Sequence, residues 1–273
     1  MTCIDFHTHI FPDHLAATTI PALAAAGNVT PAADGTAAGL LASMERAAVR
    51  ASVVCSIATR PAQFQAILDW SKTIRSARLI PFVSLHPASK QLEREIDLIK
   101  EAGFKGIKLH PYYQDFYLEE KQTRNLLRLA ADADLIVVLH SGYDIGFPEQ
   151  ERANPAQIRA LTQSIPHLKL VAAHLGSWQQ WHEVEEFLVG EDIYLDIAYA
   201  LEFLEPAQAR RILSEHRPDR LLFGTDSPWA DQAEVKKLLL DLQLGRELTK
   251  AILGRNAARL LEDGRGQRSE GRG

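Results

Sequence analysis

The sequence predicts a single (β/α)8 barrel, and three observations lead there. Eight short apolar runs alternate with about eight amphipathic helical patterns along 273 residues, a length that suits one such barrel. Most of the runs are apolar throughout instead of alternating, which is how parallel strands covered on both faces read. Several of them also end on a histidine or an aspartate, and always at the same end.

The strand-like runs are residues 2–9, 51–57, 79–86, 105–110, 135–141, 168–176, 193–198 and 220–226. Helical patterns at 39–50, 64–77, 91–103, 119–134, 155–165, 181–190 and 206–216 carry apolar residues at three-to-four spacing. Gly103 is a good helix stop, and Pro206 suits a first helical position. Residues 233–263 read as two helices broken near Leu244–Gly245. A doubly wound open sheet is the alternative, but it would carry a glycine-rich phosphate loop after its first strand. That position holds His7-Thr8-His9 instead. Residues 10–38, rich in Ala, Thr, Pro and Gly, are expected to form a long loop acting as a lid or binding segment. With no internal repeat and no linker, residues 1–263 form one domain, and the Gly/Arg-rich tail 264–273 is expected to be disordered.

A formal net charge of −5 argues against nucleic acid or an anionic membrane as partner. Cys3 and Cys55 lie in apolar runs and are expected to be buried, reduced thiols. The N-terminus lacks a basic segment followed by a long apolar one, and no apolar run approaches the ~20 residues that span a bilayer. A cytoplasmic protein follows as the expectation.

The chemistry begins at His7 and His9. Alternate residues of a strand point to one face, roughly 6.6 Å apart at Cα, so two imidazoles can converge on one ion. Composition alone supplies about 0.4 such pairs in a chain of this kind, so the pair needs support. Position gives it. His86, His110, His140, His174 and Asp226 each close an apolar run. In a barrel they ring the C-terminal mouth, where active sites of this fold lie. Titratable groups there are costly unless paired or bound.

Taken in order, "DFHTH", "LHSG", "AHLGSW" and "FGTDSPW" resemble the amidohydrolase superfamily, closest to the branch that includes aminocarboxymuconate semialdehyde decarboxylase. The resemblance runs from Asp5 to the "ILGRNAARLL" segment. It implies that His7, His9, His140 and Asp226 are ligands of one divalent metal, with Zn²⁺ suited to such a set. It implies catalytic roles for His174 and for Asp226, which would also take a proton from a metal-bound water. Asp5 is expected on the same face as His7, as support for the site or as a structural hydrogen-bonding group. Lys108 has two readings: a substrate anion contact, or a carbamylated bridge between two metals. His110, Arg60, Trp178 and Tyr112 are the further substrate-binding candidates, with Tyr113 and Trp229 behind them. His14, His167, His182 and His216 read as surface residues. The expected activity is hydrolysis of an amide, ester or lactone in a small carboxylate-bearing molecule. The alternative is non-oxidative decarboxylation of an aromatic or unsaturated acid. A homodimer is a further expectation, since dimers are common in this branch.

Overall fold

A computed structural model describes residues 2–262, and eight parallel strands form where the apolar runs stand. They are β1 (Ile4–Thr8), β2 (Ala51–Cys55), β3 (Leu79–Phe82), β4 (Gly106–Leu109), β5 (Ile136–Leu139), β6 (Lys169–Ala172), β7 (Tyr194–Asp196) and β8 (Leu221–Leu222). Sequential strands pair in two arcs, β1–β2–β3 and β4 through β8. Backbone hydrogen bonds join the arcs into a ring. On one side Val83 donates to Gly106 (3.2 Å) and Lys108 donates to Val83 (2.9 Å). On the other, Phe6 donates to Phe223 (2.7 Å) and His9 to Ser227 (2.6 Å). The (β/α)8 barrel is therefore the fold.

Alternation along the strands divides the core into two clusters. On β5, Ile136 and Val138 join Phe6, Phe82 and Val171, which fill the space within the strands. Val137 and Leu139 belong to the other cluster, which includes helix residues such as Leu126, Ile158 and Leu213. Burying such side chains contributes roughly 1.5–3 kcal/mol each, which fixes the strand faces. Cys3 and Cys55 are buried free thiols. Among the described residues no helix is long and apolar enough to cross a membrane.

The segment after β1 corrects the expected long loop. Asp13–Gly27 is a helix, α1, ended by Asn28 in the left-handed conformation. Alanine-rich sequence favours it. Pro21 inside it removes one N–H and disguises the pattern. The helix buries only Ala16, Ile20 and Gly27, so no regular apolar stripe marks it. The expected break near Leu244–Gly245 is present, with a helix over Gln232–Asp241 and another starting at Arg246. From the final helix, Asn256 donates to the carbonyls of Pro218 and Leu221, both at 2.8 Å, tying the end of the chain to β8. His216 is a second correction: it is 2 % exposed. Its Nδ1 accepts from the Gly190 N–H and its Nε2 donates to the Ile193 carbonyl. The expected tail, 264–273, lies outside the described residues.

Candidate metal centre and active site

The C-terminal ends of the strands place the polar groups at one mouth. β1 supplies His7 and His9, β4 Lys108 and His110, β5 His140, β6 His174, and β8 Asp226. His174 and Asp226 both hold left-handed backbone, with φ of 61° and 64°. For residues with a Cβ this costs on the order of 1–3 kcal/mol, and such strain collects at functional sites. Hydrogen bonds impose it. The His174 N–H donates to Asp196 Oδ1 at 3.1 Å, and the Asp226 N–H donates to the His7 carbonyl at 2.8 Å.

His7, His9 and Asp226 form one group, with a ligand atom of each within 4.8 Å of the others. A carbonyl can only accept, so the bond of His9 Nδ1 to the Cys55 carbonyl (2.7 Å) puts a proton on Nδ1. Nε2 then presents its lone pair to Asp226 Oδ1 at 3.0 Å. His7 behaves alike: Nδ1 donates to Asp196 Oδ2 at 3.0 Å, and Nε2 lies 3.4 Å from Asp226 Oδ1. Burial keeps the His7 proton affinity well below the usual imidazole value. Burial alone would raise the Asp226 carboxyl, and only positive charge beside it brings it down to about 2. Acceptors facing acceptors at these distances need a positive charge among them. Lys108, wholly buried, supplies one, its Nζ 2.8 Å from His7 Nε2. Two imidazole nitrogens and a carboxylate, each imidazole oriented through its other nitrogen, is a donor set that fits a divalent metal.

His110, His140 and Asp144 form a second group. The His110 and His140 rings stack with centroids 4.0 Å apart. His110 Nε2 lies 3.3 Å from Asp144 Oδ2, and the Gly146 N–H donates to Asp144 Oδ1 at 2.8 Å. His140 Nε2 donates to the Tyr143 carbonyl at 3.1 Å, while its Nδ1 meets His174 Nε2 at 2.9 Å. His174 in turn donates from Nδ1 to the Ala198 carbonyl. The four-ligand set expected from sequence is thus divided, with His140 placed beside His110. Gly142 holds this loop in position. Its φ is +84°, and a Cβ there would meet the Trp178 backbone nitrogen at 2.3 Å.

The two groups line a single cavity with Lys108, His174 and Trp178, walled by Tyr113, Tyr143, Tyr199 and Trp229. Two expected contacts lie elsewhere. Arg60 is exposed, because the chain turns outward after β2 into a short helix at Pro61–Gln63. Tyr112 is buried beside the cavity, its hydroxyl donating to the Gln150 carbonyl. His86 is half-buried and accepts the Ala88 N–H through Nδ1. Asp5 touches neither imidazole ring. The pairing of β1 with β2 shifts between Asp5 and Thr8, so alternation does not carry through. Asp5 accepts from the His7 N–H, from Thr225 and from Gln232, securing the loop that carries Asp226. Sequence reasoning missed Asp196, although a carboxylate closing the apolar run "IYLD" was a signal of the same kind as the others. Asp144 carried no such signal.

The amidohydrolase family pattern matches residues 4–262. The chain belongs to the amidohydrolase family. Solved structures agree on the fold of this amidohydrolase. An uncharacterised TIM-barrel protein from Bordetella bronchiseptica is 20% identical with a TM-score of 0.78, covering 96% of this chain and 98% of that one. 5-Carboxyvanillate decarboxylase from Sphingomonas paucimobilis is 12% identical with a TM-score of 0.73, covering 96% and 99%. A probable 2-pyrone-4,6-dicarboxylic acid hydrolase from Acinetobacter baumannii is 15% identical with a TM-score of 0.67, again covering 96% and 99%. No curated protein matches the chain.

Proposed function

We propose that this amidohydrolase is a metal-dependent hydrolase acting on an amide, ester or lactone bond of a small carboxylate-bearing molecule. The observation that carries the reading is the convergence of His7 Nε2, His9 Nε2 and Asp226 Oδ1, with both imidazoles anchored through Nδ1 and Lys108 Nζ the cation beside them. Three protein ligands with an open position is the pattern of a catalytic zinc site. Zn²⁺ held there would supply Lewis acidity and a bound water of lowered pKa. The protein's own groups do the rest. Asp226, ionised throughout the neutral range, takes the proton of the attacking water. His174, fixed by Ala198 and Asp196, presents Nε2 on the cavity side as the group for proton transfer. Lys108 Nζ donates to a substrate oxygen at the floor. The aromatic walls exclude water from the bond being cleaved.

Decarboxylation is the second reading. It is favoured by those aromatic walls, which suit a ring, and by the activity of the Sphingomonas relative. Metal analysis of untreated protein with a panel of lactones, esters, amides and aromatic acids separates the two. The expected result is about one zinc per chain, as a mononuclear site requires, and hydrolytic turnover that Asp226→Ala lowers by more than about 10³-fold. CO₂ release from the acids without hydrolysis moves the assignment to the lyase. A metal-free protein with full activity in Asp226→Ala removes both.

A further inference from the structure

The charges lining the cavity are sparse. Among the described residues Lys108 is its one ammonium, and no arginine belongs to the lining. Arg152 points elsewhere, stacked over Tyr112 and Tyr117 and paired with Asp115. Two carboxylates complete the count for the described residues: Asp226, already used, and Asp144, which the reaction does not use. Asp144 is fixed by the Gly146 N–H and by His110, so it cannot swing away from an incoming anion. A divalent ion would bring these groups to one net positive charge, which a single carboxylate neutralises.

The next residue closes the same cavity. Ile145 is 44% exposed yet lines it, together with Leu23, Gly27 and Val29 from α1 and its end. A Cβ on Gly27 would stand 3.1 Å from Ile145 Cγ2. Gly27 is the last residue of a helix, so its missing side chain serves this contact rather than a turn.

We propose that the loop 143–146 is the selector of this site. Asp144 rejects a second anionic group, so the substrate is a small monocarboxylate with an apolar or aromatic body. The Ile145–Gly27 contact limits its bulk. This rests on the cavity being the substrate site, as proposed above.

Calorimetric titration of the zinc-loaded, full-length protein with benzoate and isophthalate tests it, since the two share a ring and differ by one carboxylate. Benzoate is expected to bind about tenfold or more tightly than isophthalate, the scale of one like-charge contact. Asp144→Asn is expected to shrink the preference to within about threefold by tightening isophthalate. Ile145→Ala is expected to tighten 4-tert-butylbenzoate while leaving benzoate little changed. Unchanged circular dichroism and melting show that the variants are folded. Equal binding of both acids, binding of neither, or an Asp144→Asn effect of equal size on both overturns the proposal. The readout needs no turnover. Selective binding by a protein that hydrolyses nothing keeps the selector and removes the hydrolase. Fastest turnover of dicarboxylate esters does the reverse.

Discussion

Two groups of the same composition, two histidines and one aspartate, stand at the same barrel mouth, and they differ in where their protons lie. Around His110, His140 and Asp144, Asp144 accepts from the Gly146 N–H and lies 3.3 Å from His110 Nε2, and His140 donates to the Tyr143 carbonyl, while the lone pairs that do meet, His140 Nδ1 and His174 Nε2, meet without a carboxylate between them. Around His7, His9 and Asp226 the histidine protons are used up on Asp196 and Cys55, leaving lone pairs toward a carboxylate. Ligand-type residues at short range do not by themselves make a metal site. What makes one is an excess of acceptors that only a cation can satisfy.

The contrast can be broken most sharply by removing ligands. His9→Ala and Asp226→Asn are expected to weaken zinc binding by more than about 100-fold in a chelator competition, beyond the 10–100-fold typical of outer partners. His110→Gln should stay within about threefold of the native protein, as a group outside the coordination sphere. Equal losses from both sets would erase the distinction. His140→Ala sharpens it further. The resemblance puts His140 among the ligands, but the geometry puts it with His110, so its loss should be smaller than that of His9→Ala. Next in size is Asp196→Asn, which leaves every ligand in place but loosens the Nδ1 anchor of His7. A loss of about 10–100-fold in zinc affinity is expected, and no change would reduce Asp196 to a packing role.

The smallest effect lies away from the mouth. Burial lowers the His216 pKa below 6.5, and its two ring nitrogens are committed as one acceptor and one donor. The unfolded chain therefore binds the proton more readily. The contribution of His216 is complete above pH 6.5 and is lost as pH falls through the lower folded value. Between pH 7.5 and 5, native protein should lose more melting temperature than His216→Gln, by about 2–4 °C for each kcal/mol involved. Parallel pH profiles would show that this proton matters little.

The barrel was legible because parallel strands wrapped by helices must be apolar on both faces, and eight such runs are hard to produce otherwise. The helix α1 was not. Its alanines and Pro21 leave no apolar stripe, because it covers a mouth instead of packing flat on a core. His7, His9 and Asp226 could be singled out because strand ends converge. The separate grouping of His140 could not, since a residue's identity does not say which way Nδ1 and Nε2 point. Arg60 shows the same limit: proximity to a strand end says nothing once the chain turns outward. Asp5 was misplaced by a register shift that no alternation rule contains.

The seam where β1 meets β8 has a consequence for how the protein is completed. His7 and His9 come from the first ten residues, while Asp226 follows the last strand, which is itself pinned by Asn256. The three candidate ligand atoms are therefore brought together only when the first and last strands of the barrel have met. Ion uptake becomes a report on ring closure: a chain still emerging from synthesis, or one clipped before β8, lacks the pocket whatever else it has folded. A bound ion would in turn act as a clasp on that seam and stabilise the closed ring in proportion to how far its concentration exceeds its dissociation constant.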